Sequence, residues 1–556
     1  MPKPPPAARP RLTRPFRSFG WALAGILGLS LSLPPVGFYP LAWVGLVPLL
    51  VRWSEHTSAA TCARETYALL LAFSVASGFW LLFHGDPLLG VAGGLGLLLL
   101  PLPLVASATL AGSVRRRFGL VAGLVAFVLT TLAAEYALVT APVGVPWLLL
   151  GHTQVEALQF VQTADIGGVL LLSLWVLLLN VTAFAALPLV PAPSKNGAAA
   201  PDGRRDVAWT AYIGDSGIAV ALFAVLIALP AAYGAVRAGQ ADAPVGYARI
   251  GIIQPGIAPT AWDAEAEGRV DLLAELSDRL LGRWNAPDTS RSNAAKGGSI
   301  LRVADAPVRP HGRQGAEPVG ILIWPQGTLP WMGSDAREAA TLARLGEWCR
   351  RRDVALITGS TTRSPGDGPD RPERTSALRV SPAGEILRYD QMRRIPVADA
   401  PAALGTDRHL LPVGGVRVAA LLGFESLFGD HARRFARDGA DLFVVLARSD
   451  RWGQSSGPYQ HLHATRLRAI ETRRSVVVAS AGGLSAVVAP SGRIEQTSGW
   501  MEQNLVPIDV PLYRTETFYS RHGDWVGRWA LWAALLLYAA AGGVAFVWPR
   551  LEPRLR

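Results

Sequence analysis

The run Gly119-Leu-Val-Ala-Gly-Leu-Val-Ala-Phe-Val-Leu-Thr-Thr-Leu-Ala-Ala-Glu-Tyr-Ala-Leu-Val-Thr140 carries a single charged side chain, Glu135. At a helical rise of ~1.5 Å per residue it reaches across ~30 Å of hydrocarbon, so it reads as a membrane-spanning helix. Further apolar runs lie near residues 19–35, 38–53, 67–85, 88–112, 166–190 and 216–236, with a last one from about Trp529 to Trp548. The second is short and interrupted by proline, and Pro34-Pro35 marks the turn before it. No small-residue cleavage site follows the first run, which makes it an anchor rather than a removable leader. Trp525 and Trp548 sit where interface anchors are expected. The pattern predicts a multi-pass α-helical membrane bundle of about eight spans.

Composition and charge point the same way. Of 556 residues half are hydrophobic and only 17% are charged, against about 25% in soluble proteins; mean hydropathy is +0.27. The net charge of +11 would suit nucleic acid if its basic residues formed a patch. They fall in alternate loops instead: Lys3 to Arg17, Arg52 and Arg64, Arg115 to Arg117, Lys195 to Arg205, and Arg550 to Arg556. The segment from Ala141 to Asp165 has none. Positive charge marks the cytoplasmic side, so both termini are expected in the cytoplasm and residues 240–523 outside. This removes the case for nucleic acid. Two cysteines, Cys62 and Cys349, exclude a disulfide scaffold, a Cys-rich zinc module and an iron–sulfur site, and no cofactor or metal is expected.

The outside segment alternates β-branched runs with helical stretches, as α/β architecture does. Strands are expected at Arg249–Gln254, Val319–Trp324, Val354–Gly359, Ala377–Val380, Arg417–Phe424, Leu442–Leu446, Val476–Ser480 and Ser485–Ala489. Helices are expected at 262–284, 335–352, 429–439 and 459–474. Residues 286–318, rich in Ser, Gly, Pro, Asp and Arg, read as a flexible surface insertion, and 191–215 as a similar cytoplasmic loop. The organisation is then a basic N-terminus (1–18), a membrane domain of seven spans (19–239), an α/β domain (240–523), and a final span with its tail (524–556).

Within the α/β domain, five tracts stand out in order. They are Ile321-Leu-Ile-Trp-Pro-Gln-Gly-Thr-Leu-Pro330, Arg388-Tyr-Asp-Gln-Met-Arg-Arg-Ile-Pro396 and Leu421-Leu-Gly-Phe-Glu-Ser-Leu-Phe428. Trp452-Gly-Gln-Ser-Ser-Gly-Pro-Tyr-Gln-His461 follows, leading into Arg466-Leu-Arg-Ala-Ile-Glu-Thr-Arg-Arg474. Their order and spacing resemble the nitrilase (carbon–nitrogen hydrolase) domain of the apolipoprotein N-acyltransferase family. Gly144-Val-Pro-Trp-Leu-Leu-Leu-Gly151 is similar to that family's Gly-Phe-Pro-Trp loop. Thr517-Phe-Tyr and Arg521-His-Gly-Asp-Trp525 are similar to its approach to the final span. The resemblance implies an αββα sandwich outside a bacterial inner membrane. It also implies phospholipid and lipoprotein as partners: a cysteine takes an acyl chain from phospholipid and passes it to the α-amine of a diacylglyceryl-cysteine. A glutamate serves as general base, and a lysine holds the oxyanion.

This chain departs from that pattern at all three catalytic positions. The glutamate position after Trp-Pro is Gln326, the lysine position after Tyr-Asp is Gln391, and the cysteine position is Gly423. A neutral amide accepts no proton near pH 7, and glycine has no side chain. Candidate replacements lie elsewhere in the chain. Cys349 lies in a helical stretch, Cys62 on the cytoplasmic side, and Ser426, with His461 or His463 as its candidate base, lacks a Gly-x-Ser-x-Gly elbow. His461 and His463, one residue apart in a helix, make a poor metal pair. Pocket candidates are Glu425, Asp399, Arg393 and Trp452, either as organisers of the rim or as contacts to a lipid headgroup or lipoprotein amine, with Arg394 beside them. Glu135 is an intramembrane carboxylate, functional by default unless it simply reaches interfacial water. The sequence thus predicts a catalytically silent member of the family that binds lipid or lipoprotein or supports an active paralogue. The alternatives are an acyltransferase with relocated groups and an unrelated membrane scaffold.

Overall fold

The computed structural model describes residues 18–83, 87–142, 144–187, 216–240, 243–264, 266–284, 320–329, 335–363, 373–395 and 402–555. The insertion 286–318, the loop 191–215 and Asp399 lie outside the described residues. The chain divides into two compact units. One comprises 1–79, 93–240 and 522–556, the other 80–92 and 241–521.

The first unit is helical. Among the described residues five stretches are long and apolar enough to cross a membrane: Ala59–Phe83, Pro87–Phe118, Leu120–Thr140, Ala164–Ala186 and Gly217–Ala238. Two runs read as spans are shorter than the sequence predicts. The first helix covers Phe19–Leu31 only. Residues 38–53 form a 3₁₀ turn, Tyr39–Trp43, and a nine-residue helix, Val47–Glu55. Pro40 and Pro48 each remove a backbone donor there. The broken backbone is made good by Asn180. Its Oδ1 accepts from the Leu46 N–H at 2.8 Å, and its Nδ2 donates to the Ala42 carbonyl at 2.7 Å. Non-helical backbone away from water needs such a partner. The last helix, Trp525–Leu555, starts with the Trp525 indole donating to the Ile166 carbonyl at 2.9 Å.

The second unit is built on two six-stranded sheets. Their strands are β1 (Gly246–Gln254), β2 (Gly320–Ile323), β3 (Val354–Arg363), β4 (Glu373–Val380), β5 (Ile386–Asp390), β6 (Leu411–Val413), β7 (Val416–Leu422), β8 (Leu442–Ala447), β9 (Ser475–Ser480), β10 (Ala486–Val488), β11 (Ile494–Thr497) and β12 (Asn504–Leu512). The sheet orders are β12-β1-β2-β3-β4-β5 and β11-β10-β9-β8-β7-β6. β1, β2 and β3 run parallel, as do β7, β8 and β9, and the flanking strands are antiparallel.

The period-2 alternation of side chains explains the layers. Ile321 and Ile323 of β2, with Ala355 and Ile357 of β3, join the second sheet's Ala420, Val444 and Val477 in one buried core. Leu322, Trp324, Val354 and Leu356 point the other way, onto Trp262, Leu273, Leu276, Leu345 and Cys349 of the helices covering that face. Ala432, Phe435 and Ala469, from helices Gly429–Arg437 and Ser456–Thr472, pack against the inter-sheet core from the second sheet's side. The result is the αββα sandwich expected from the resemblance.

Candidate functional site

Ligands gather where parallel strands end, and three of the tracts singled out above follow the ends of parallel strands, β2, β7 and β8. β2 runs into Trp324-Pro325-Gln326. The Trp324 N–H donates to the Ile357 carbonyl at 2.9 Å, and its indole donates to Ser277 Oγ at 2.9 Å. The Thr328 hydroxyl closes the turn on the Pro325 carbonyl at 2.7 Å. Gln326 is half-buried and lies so close to β3 that a Cβ on Gly359 would stand 2.5 Å from its Cα. Only glycine fits at 359. On the other side of the turn, Arg269 donates to the Gly327 carbonyl, while Arg448 Nη1, beyond the end of β8, lies 2.8 Å from where a Gly327 Cβ would be. Arg448 is held in turn by buried Asp450 at 3.3 Å, whose carboxyl burial pushes above its ordinary range.

β7 runs into a 3₁₀ turn, Gly423–Leu427, which begins with Gly423 at φ +52°. This left-handed backbone favours glycine. Glu425, wholly buried, is the hub of the turn. Its Oε1 accepts from the Met392 N–H at 2.6 Å, the Arg393 N–H at 3.1 Å and the Tyr389 hydroxyl at 2.9 Å; its Oε2 accepts from the Leu422 N–H at 2.9 Å. His431 Nε2 adds a contact to the Tyr389 hydroxyl at 3.1 Å. Burial, with the neighbouring Glu425 carboxylate, holds the Tyr389 phenol well above its ordinary range. The Gln391 side chain donates to the Arg393 carbonyl at 2.9 Å and to the Leu422 carbonyl at 3.4 Å. Gln391 and Glu425 therefore meet on the backbone of Leu422, the residue before Gly423. Arg393 joins through its backbone, while its guanidinium lies 5.7 Å over the Phe428 ring.

Ser426 and His461 also meet, with Ser426 Oγ 3.0 Å from His461 Nε2 and 2.9 Å from the Thr465 hydroxyl. His461 Nε2 lies 3.1 Å from the Gly423 carbonyl, which can only accept. That bond places the proton on Nε2, so the same nitrogen cannot act as base toward Ser426. Burial holds the His461 imidazole down to about 4. His463 faces elsewhere, its Nδ1 2.8 Å from Arg466 Nη1. Trp452 stacks on Phe424 at 4.9 Å and tilts against Trp80 at 5.1 Å, with His461 edge-on to Phe424 at 5.4 Å. Trp80 is seated on Gly457, where a Cβ would come within 2.6 Å of its ring.

Cys349 is fully buried in the helix-covered face of the first sheet, and burial pushes its thiol up to about 12. Cys62 is equally buried, in the helical unit. No group of three or more His, Cys, Asp or Glu side chains placed to hold a metal occurs among the described residues. Glu135 belongs to the helical unit and is 1% exposed, so it does not reach interfacial water. Its Oε1 accepts from the Leu150 N–H at 2.8 Å, pinning the end of the Gly144–Gly151 loop. Sequence reasoning missed Arg448, Tyr389, His431 and Trp80. Arg448 had a signal, an arginine flanking the Trp452 tract, whereas Trp80 lies far from its partners in sequence.

Helices of membrane length together with an αββα sandwich define a membrane protein bearing a carbon–nitrogen hydrolase-type domain. The family model for the apolipoprotein N-acyltransferase N-terminal domain matches residues 24–182, and that for carbon-nitrogen hydrolase matches 249–519. The apolipoprotein N-acyltransferase of Bradyrhizobium diazoefficiens is 30% identical over 426 residues, 70% of this chain and 68% of that protein. The enzyme of the same name from Geobacter metallireducens is 27% identical over 93% of this chain and 94% of its own. A mutant of the Nesterenkonia AN1 amidase, from the nitrilase superfamily, is 20% identical with a TM-score of 0.36, over 51% of this chain and 97% of its own. The chain belongs to the apolipoprotein N-acyltransferase family.

Proposed function

We propose that this chain is an inner-membrane protein that binds acyl phospholipid or lipoprotein at its nitrilase-like site without transferring the acyl chain. One observation carries the reading: Gln326, Gln391 and Gly423 together offer no base, no cation and no nucleophile. Loss of one member of such a set costs on the order of 10⁴–10⁶ in rate, and further losses add little. Glu425 does not fill the gap, because its two oxygens are committed to four donors. Cys349 is buried and its thiol does not ionise near neutral pH. A protein of this kind acts by binding, alone or beside an active paralogue. By the loop charges, both termini face the cytoplasm and the nitrilase-like domain faces outward.

A second reading, acyl transfer with relocated groups, draws on the 3.0 Å approach of Ser426 Oγ to His461 Nε2. The Gly423 carbonyl, which claims the same nitrogen, weighs against it. Intact-mass measurement of the full chain incubated with phospholipid separates the two. Our reading expects no acyl adduct. An adduct that disappears in Ser426→Ala would establish the second.

A further inference from the structure

We infer that Trp452 is the group that recognises the ligand's acyl ester, its indole N–H donating to an ester carbonyl oxygen. The inference rests on the proposed binding of acyl lipid. Trp452 is 6% exposed, and its Nε1 has no hydrogen-bond partner among the described residues. A buried donor left unpaired is costly, and native structures seldom keep one without a use.

Trp262 and Trp348 also have unpartnered indole nitrogens; Trp348 packs on Trp324 behind the first sheet, whereas the Trp262 Nε1 lies beside the Gly327 turn, 3.7 Å from where a Gly327 Cβ would be, with the Arg269 guanidinium already over its ring. Trp452 is different because its ring lies on Phe424, the residue next to Gly423. The chain directly after it, Gly453 and Gln454, is exposed. The chemistry of the acceptor follows from the surroundings. Phe424, Trp80 and His461 present ring faces and edges to Trp452. An anion would lose its hydration there for a single neutral donor, whereas a carbonyl oxygen on a hydrocarbon chain loses little. Indole is a donor only, so it selects an acceptor and cannot itself attack the ester.

The test uses the full chain in detergent with two probes, a diacyl phosphatidylethanolamine and its dialkyl ether counterpart, which lacks the carbonyls. Titration by native mass spectrometry should show the wild type preferring the diacyl lipid about tenfold, the worth of one well-made hydrogen bond in a buried site. Trp452→Phe keeps an aromatic ring against Phe424 and removes the N–H. It should bind both lipids equally, at the level of the ether lipid. A wild type that binds both lipids without preference would overturn the inference and leave the binding proposal standing, and this arm needs no variant. Retained preference in Trp452→Phe would overturn it as well. Binding of neither lipid by the wild type would remove the binding proposal and the inference with it.

Discussion

At the scale of single residues, side chains at the site tie strand ends together. Glu425 ties the end of β5 to the end of β7 through four donors, and each such bond to a charged acceptor is worth ~1.5–3 kcal/mol. Glu425→Gln keeps one acceptor oxygen and turns the other into a donor facing donors. We expect a loss of ~2–4 kcal/mol, read as a lower midpoint in thermal unfolding of the full chain. His461 makes stability depend on pH. Its imidazole titrates at about 4 when folded, against the ordinary 6.5, so below pH 6.5 the unfolded chain gains a proton that the folded chain refuses. Stability from this group is whole above pH 6.5 and declines toward pH 4, by on the order of 3 kcal/mol. His461→Gln should flatten that part of the profile. An unchanged slope in the variant would show that His461 is not the group responsible. Both cysteines are fully buried, and the folded protein should resist a thiol-specific maleimide until denatured.

At the scale of elements, one close fit can be tested. Asn180→Leu strands the Leu46 N–H and the Ala42 carbonyl in the helical unit, which should cost ~1–3 kcal/mol in detergent-solubilised protein. An unaltered midpoint would show that the broken helix finds other partners. Much of the fold was legible because its strands are covered on both faces and read as unbroken apolar runs, as Leu442–Ala447 does. Four strands were not. β12 carries Pro507 and Pro511 and lies at a sheet edge, where proline is tolerated. β6 is three residues around Pro412, β5 is a five-residue strand whose Ile386 and Leu387 are exposed, and β11 is mostly polar. The second apolar run looked like a span because hydropathy does not register that Pro40 and Pro48 divide it. Within the site, positions 326, 391 and 423 could be singled out only through the family resemblance. The union of Trp452 with Trp80, and of Glu425 with Tyr389, depends on tertiary contact and leaves no local pattern.

At the scale of the whole molecule, the chain is a member of the apolipoprotein N-acyltransferase family whose site we propose binds without acyl transfer. Restoration tests whether the scaffold is still competent. The variant Gln326→Glu, Gln391→Lys, Gly423→Cys should form a thioester with phospholipid, visible as an acyl mass increment. The new cysteine would stand in left-handed backbone at a cost of ~1–2 kcal/mol. A folded triple variant that forms no adduct would mean that the pocket, too, has been remodelled. The central claim is tested most directly by incubating the unaltered full chain with phospholipid and a diacylated lipopeptide and following the lipopeptide by mass spectrometry. We predict no N-acylated lipopeptide above the no-protein control; formation of the triacylated product would contradict the account.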